Sequence, residues 1–398
     1  MRSFTALLLL GTGLLTSLQA GEIHPSGKNL EAAITTESAE SIYDKIWGLA
    51  KIYKNDENPV LQEFALQGRL HLQWATGNSD QGDYGSEDRP DEVLWGDVEV
   101  RRWRLGFKSK WFKQFKLDGQ IDVSPNFDPE FYGKIYDLNL TWAPSDAFNI
   151  GIGKYKANFF SLEQATSSNN ILTFERALLS NTLFTGEITG VKINGKIGNF
   201  LYTAGAYAGD DQREFTEFEA GYLFQAGVGY DLSEASGLEK AIVKFDYQYS
   251  DDEENVGGGA TFENSVSLNT TWEQGRLSLY TDLLGGTGRG AQGDVWGFHI
   301  IPAVYIADSL QLVFRYQFAS GDSQDSLRLQ SRYERLATDL TDGGRGDQYQ
   351  AAYVGLNYYL YGHKLMLMAG TEYHHMRNDG DGGEFSGWTT LVGLRLSF

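Results

Sequence analysis

Trp388-Thr389-Thr390-Leu391-Val392-Gly393-Leu394-Arg395-Leu396-Ser397-Phe398 is the stretch that decides the fold. Trp388, Thr390, Val392, Leu394, Leu396 and Phe398 make one stripe at period two. Thr389, Leu391, Gly393, Arg395 and Ser397 make the other. Successive side chains of a strand point to opposite faces, so this is a two-faced strand with one mostly apolar face. The stripe runs to a C-terminal Phe, where the last residues of a soluble domain usually fray. The expectation is a strand whose apolar face meets lipid.

The same period starts at Glu63 and persists. Leu66, Leu70, Leu72 and Trp74 oppose Gln67, Arg69, His71 and Gln73. Trp103, Leu105 and Phe107 oppose Arg102, Arg104 and Lys108. Phe115, Leu117, Ile121 and Val123 oppose Lys116, Asp118, Gln120 and Asp122, and Tyr136, Leu138, Leu140 and Trp142 oppose Asp137, Asn139 and Thr141. Sixteen strands are expected, near 63–75, 97–110, 114–124, 133–143, 148–156, 185–195, 199–209, 220–232, 240–250, 261–273, 276–284, 293–306, 310–320, 348–360, 364–376 and 387–398. Short connectors such as Ile197-Gly198-Asn199, Glu273-Gln274-Gly275 and Gly362-His363 alternate with long ones at 76–96, 321–347 and 377–384. That is the turn-and-loop rhythm of a transmembrane β-barrel, with periplasmic turns and extracellular loops. Sixteen strands leave an aqueous channel. The fold class expected is therefore all-β: a sixteen-stranded antiparallel transmembrane β-barrel over residues 61–398, with a short N-terminal helical extension.

Met1 to Ala20 read as a signal peptide: Arg2, an apolar stretch from Leu7 to Leu18, then small residues at the cleavage position. Residues 21–60 read as a periplasmic N-terminal extension, either a helix within Glu31 to Lys54, where Ile42, Ile46, Leu49 and Tyr53 share one face and Ser38 or Ser41 is the cap, or a flexible leader. A mean hydropathy of −0.36 does not exclude a membrane protein, because only every second barrel residue faces lipid. The 22 Tyr, 23 Phe and 9 Trp suit interfacial girdles. With no Cys there is no thiolate nucleophile or thiolate metal site, and the net charge of −20 disfavours nucleic acid as a partner.

Residues 157–184 break the rhythm. They are long, carry Glu163, Glu175 and Arg176, and read either as a segment folded inward to narrow the pore or as an ordinary surface loop. A channel does no covalent work; it needs moderate, repeated attractions that let a solute leave again. The row that supplies them for anions is Arg102, Arg104, Lys108 and Lys110 on the second strand, with Arg69 beside it and Lys154, Lys156 and Arg176 flanking the suspected constriction. The same charges could instead pair with Asp118, Asp122, Asp137 and Glu175 along the wall. Arg328, Arg332, Arg335 and Arg345 sit in a long loop among acids and read as loop salt bridges.

Catalysis finds no constellation. His374 and His375 are adjacent on a strand and point to opposite faces, and His24, His71, His299 and His363 show no local partner set. Asp251-Asp252-Glu253-Glu254 lacks the spacing of a calcium loop. No enzyme activity, metal or cofactor is expected.

Arg101-Arg102-Trp103-Arg104-Leu105-Gly106 resembles the Arg-rich second-strand signature of the phosphate-selective porin O and P family. Gly151-Ile152-Gly153-Lys154-Tyr155-Lys156, then Glu163, Thr166-Ser167-Ser168 and Phe174-Glu175-Arg176, resemble the segment leading into that family's inward loop. Gly355-Leu356-Asn357-Tyr358-Tyr359 resembles its late hairpin, and the resemblance covers roughly 63–398. It implies a sixteen-stranded, commonly trimeric channel of the bacterial outer membrane that favours small anions such as phosphate through lumenal Arg and Lys. The rival expectation is a structural or adhesive barrel whose extension and loops matter more than its lumen.

Overall fold

The computed structural model describes residues 41–79, 82–83, 98–124, 131–156, 160–218, 220–251, 261–330, 333–334, 344–380 and 383–398. The signal peptide, residues 21–40 with His24, most of the 76–96 loop, Asp252 to Glu254, Arg332 and Arg335 lie outside the described residues.

Sixteen long strands follow the chain: β1 Leu61–Ser79, β2 Val98–Trp111, β3 Phe115–Val123, β4 Tyr132–Ser145, β5 Phe148–Lys156, β6 Glu187–Ile197, β7 Phe200–Ala208, β8 Tyr222–Asp231, β9 Lys240–Ser250, β10 Phe262–Gln274, β11 Leu277–Gly288, β12 Val295–Ala307, β13 Leu310–Gly321, β14 Gln348–Tyr361, β15 Leu365–Arg377 and β16 Glu384–Ser397. Each pairs antiparallel with the next, and β16 pairs with β1 from Arg69↔Ser397 to Ser79↔Gly387, so the sheet closes. Closure removes the open edges that a sheet of this size would otherwise expose. The expected fold holds, with most strand ends close to the expected positions; β1 and β11 run further than the alternation marks, and β3, β7 and β8 stop short of it.

Apolar side chains face outward all round: Leu66, Ile152, Val228, Leu283, Phe314 and Val392 are among many that stay exposed. Such a belt is untenable in water and natural against hydrocarbon. Inward positions of the same strands are buried and often polar, as His71, Gln73, Asp246, Asp282, Arg315 and Arg395 are.

The N-terminal extension differs in part from expectation. Helix α1, Ile42–Gly48, is capped by Ser41 in a capping box with Asp44. Lys51–Lys54, read as helix from its spacing, is instead a short strand paired with Glu63 to Ala65. The reason lies in the seam. β16 reaches only to Arg69, so the lower half of β1 presents a free edge, and the extension covers it. Nor does α1 dock by Ile42, Ile46 and Leu49, which stay exposed. Tyr43 stacks on Tyr361 with ring centroids 5.4 Å apart, Trp47 Nε1 donates to the Ser397 carbonyl at 2.6 Å, and Tyr361 donates to Asp44 at 2.6 Å. The Ser41 hydroxyl and Tyr361 hold the Asp44 carboxyl below its ordinary value.

Candidate functional site

The connector between β5 and β6 enters the barrel. Its described part, from Phe160, carries the short helices α2 Leu162–Ala165 and α3 Leu178–Thr182. Wall side chains hold its backbone from several sides. Asp282 accepts from the Leu162 N–H at 2.8 Å, and Gln317 from the Leu178 N–H at 2.7 Å. Asn357 donates to the Leu172 carbonyl at 2.9 Å. Arg395 donates to the carbonyls of Ile171 (2.7 Å), Thr173 (2.8 Å) and Phe174 (3.2 Å), and Arg315 to that of Glu175 (2.7 Å). A loop buried in a barrel must find partners for its peptide groups, and the inward polar residues supply them. Gly393 leaves room for the Phe174 ring: a Cβ there would meet it at 2.8 Å. Of the two readings of 157–184, the inward one is what the structure shows over the described residues 160–184.

The loop divides the lumen unequally. On the side of β10 to β16, Phe160, Phe174, Leu178, Leu179 and Leu183 join Tyr349, Tyr353, Met366 and Met376 in one apolar cluster. The described part of the 322–347 connector folds onto the same side, with Leu327, Leu329 and Tyr333 in that cluster. A cavity of about 760 Å³ lies beneath the loop toward the short turns, and one of about 420 Å³ lies above it. A third, of about 500 Å³, opens along β2 to β4 between Arg101, Arg102, Arg104, Lys134, Arg213, Asp122 and Asp211. Burial pushes the Asp211 carboxyl up from its ordinary value.

Of the basic residues expected at the site, five gather and three stand apart. Arg69, Arg102, Arg104, Lys156 and Arg176 come together from β1, β2, β5 and the inner loop, within electrostatic reach of one another. Arg69 donates to the Ser168 hydroxyl at 2.5 Å, Lys156 to the Thr166 carbonyl at 3.3 Å, and Arg176 to the carbonyls of Glu163 (2.7 Å) and Thr166 (3.0 Å). Arg104 bonds Asp122 at 2.5 Å and stacks on Tyr136, its guanidinium carbon 3.2 Å from the ring centroid. Lys108 and Lys110 stand lower on β2 toward the Trp111 turn, outside this cluster, Lys108 exposed and Lys110 half-buried. Lys154 is buried and donates to the Gln212 carbonyl, beside Asp211 and Lys134.

Two bulges shape the cluster, and strict alternation misses both. His71 pairs with Arg102 but Leu72 pairs with Val100, so Arg101 is an extra residue on β2. It turns inward beside Arg102, and both reach Glu175: Arg101 Nε at 2.5 Å and Nη2 at 2.9 Å, Arg102 Nη2 at 3.8 Å. Likewise Gln120 pairs with Asp137 and Ile121 with Ile135, leaving Tyr136 unpaired on β4. Alternation assigns Tyr136 to the outer face; the bulge turns it under Arg104. Sequence reasoning also passed over Arg315 and Arg395, although a lone Arg in an inward stripe was visible in each strand.

Comparisons agree with this architecture. The family model described as phosphate-selective porin O and P matches residues 64–333. No curated protein matches the chain. Among solved structures, an anion-selective porin from Comamonas acidovorans aligns with TM-score 0.56 at 11% identity, over 84% of this chain and 99% of that one. The outer membrane channel DcaP of Acinetobacter baumannii aligns at 0.53 and 14%, over 87% and 99%. OmpT of Vibrio cholerae aligns at 0.52 and 13%, over 87% and 100%. At these identities the structures speak for the fold. The family match spans well over half of the sequence, and with the closed barrel and its lipid-facing belt it settles what kind of molecule this is: a transport channel rather than an enzyme, belonging to the phosphate-selective porin O and P family of bacterial outer-membrane β-barrel porins.

Proposed function

We propose that this porin passes small hydrophilic solutes by passive diffusion, with a preference for anions such as phosphate, past Arg69, Arg102, Arg104, Lys156 and Arg176. The observation that carries the reading is the convergence of these five cations from three strands and the inner loop at the narrowed level of the lumen. Asp122, Glu175 and Glu187 are bonded there to Arg104, Arg101 and Lys134, and Glu163 lies within reach of Arg176, which still leaves more cations than carboxylates among the described residues of the cluster. In a confined, low-dielectric passage that local excess governs which ion enters, not the net charge of the whole protein. Arginine forks two hydrogen bonds onto an oxyanion, and a row of such contacts passes it along without one deep well. Lys108 and Lys110, lower on β2, extend the positive wall toward the short turns, and Lys154 ties β5 to the β7–β8 connector through the Gln212 carbonyl.

The assembly proposed is a homotrimer in outer-membrane lipid; one OmpT structure of the same fold is described as a trimer form. Purified protein in planar bilayers under a KCl gradient tests the selectivity. The expected reversal potential has the sign of anion preference and moves toward zero in the double variant Arg102→Gln/Arg104→Gln. A clear cation preference in the wild type refutes the anion reading, and absence of conductance refutes the channel reading. Light scattering coupled to size exclusion in detergent tests the trimer.

A further inference from the structure

Glu175 is an acid whose loop is held through its backbone, while its carboxylate also lies within electrostatic reach of Arg395 and Arg176. Its backbone carbonyl accepts from Arg315 at 2.7 Å and from the Thr173 hydroxyl at 2.7 Å, and the carbonyls of Thr173 and Phe174 accept from Arg395. The wall therefore pins the backbone whichever way the side chain turns. The carboxylate lies in the fork of Arg101, Oε1 at 2.5 Å from Nε and Oε2 at 2.9 Å from Nη2, with Arg102 at 3.8 Å. Two parallel bonds from one guanidinium form the geometry in which arginine takes a carboxylate or a phosphate from solution. Both side chains keep 20% of their surface accessible, so the pair is open to the lumen rather than sealed. Glu99, the other acid within reach of Arg101 among the described residues, is engaged by Gln73 and Tyr333.

We propose that Glu175 is a tethered anion: it occupies the Arg101–Arg102 site until a permeating oxyanion, a phosphate or carboxylate, displaces it. The inference rests on the anion preference proposed above. Its physical reason is that two bare arginines in a constriction bind an oxyanion too tightly for flux. Exchange of one oxyanion for another costs less than emptying the site, so the solute is held and released.

Inorganic phosphate is the probe, read as block of chloride current through the full-length channel in planar bilayers. In Glu175→Gln the concentration for half-block falls about tenfold or more, the loss of one charge-assisted pair competing for the site. Amide exchange of the described 160–184 loop stays at the wild-type rate, because Arg315 and Arg395 still hold its backbone. Glu175→Asp, one methylene shorter, lowers the half-block concentration by a smaller factor. An unchanged half-block in Glu175→Gln, in a channel still anion-selective, overturns the tethered anion and leaves the anion preference standing. A cation-selective wild type overturns the reading beneath both. If Glu175→Gln does not assemble, Glu175→Asp carries the test, and a half-block no lower than that of the wild type refutes the proposal.

Discussion

Replacing Arg395 by Met removes the hydrogen bonds that tie the inner loop to the last strand. Arg395 makes three of them, to Ile171, Thr173 and Phe174. A bond from a charged donor contributes about 1.5–3 kcal/mol net, so three lost without compensation cost about 4.5–9 kcal/mol. Two effects reduce this. Lumenal water can reach carbonyls that the guanidinium leaves, and Met carries no desolvation cost of a buried charge. The expected weakening of loop docking is about 2–4 kcal/mol, or roughly 30-fold to several-hundred-fold in the docked-to-released ratio. Arg315, Asn357, Asp282 and Gln317 still hold the loop, so it remains mainly docked. Amide hydrogen exchange in detergent reads the ratio directly: loop amides between 160 and 184 speed up by that factor, while strand amides, protected by barrel closure, do not. Bilayer recordings of the same variant show brief excursions to higher conductance. Unchanged loop exchange refutes the clamp, and equal acceleration in the strands shows that Arg395 supports the barrel rather than the loop.

Gly68 faces the Phe398 ring, which lies 2.4 Å from where a Cβ would stand, so Gly68→Val displaces the ring from the β1–β16 seam and lowers the temperature at which the barrel loses its compact gel mobility. Within the basic cluster, Arg104→Gln shifts the reversal potential further than Lys108→Gln, because Lys108 lies lower on β2 and outside the cluster. Equal shifts contradict that placement. Asp44 has a folded pKa below its ordinary value of 3.8, so its support of α1 is complete above that value and fades as pH falls through the lower one. Exchange of α1 amides therefore rises in strong acid, and Asp44→Asn brings the same rise to neutral pH; no change in the variant removes the capping box from the account.

The alternation that begins at Glu63 was enough to place the barrel, because period two is a local property and each strand displays it without reference to its neighbours. Arg69, Arg102 and Arg104 were legible as inward cations for the same reason, and Lys156 and Arg176 by their places beside and within the long connector. Arg101 and Tyr136 were not. Each is the extra residue of a bulge, and a bulge shows only in the register between two strands. Lys51 to Lys54 had helical spacing, yet a free strand edge nearby claimed them.

By itself, then, the order of apolar and polar residues determined that the chain closes into a lipid-facing cylinder with basic residues along its inner wall, since strand faces are set by chain covalency and need no partner. The path of residues 160–184 through the lumen was decided only by tertiary structure. Its peptide groups are satisfied by Arg315, Arg395, Asn357 and Asp282, from strands more than seventy residues away in sequence, and no local pattern records that meeting. The same holds for the Glu175 fork, which exists because a bulge turns Arg101 and a buried arginine pins the loop opposite it.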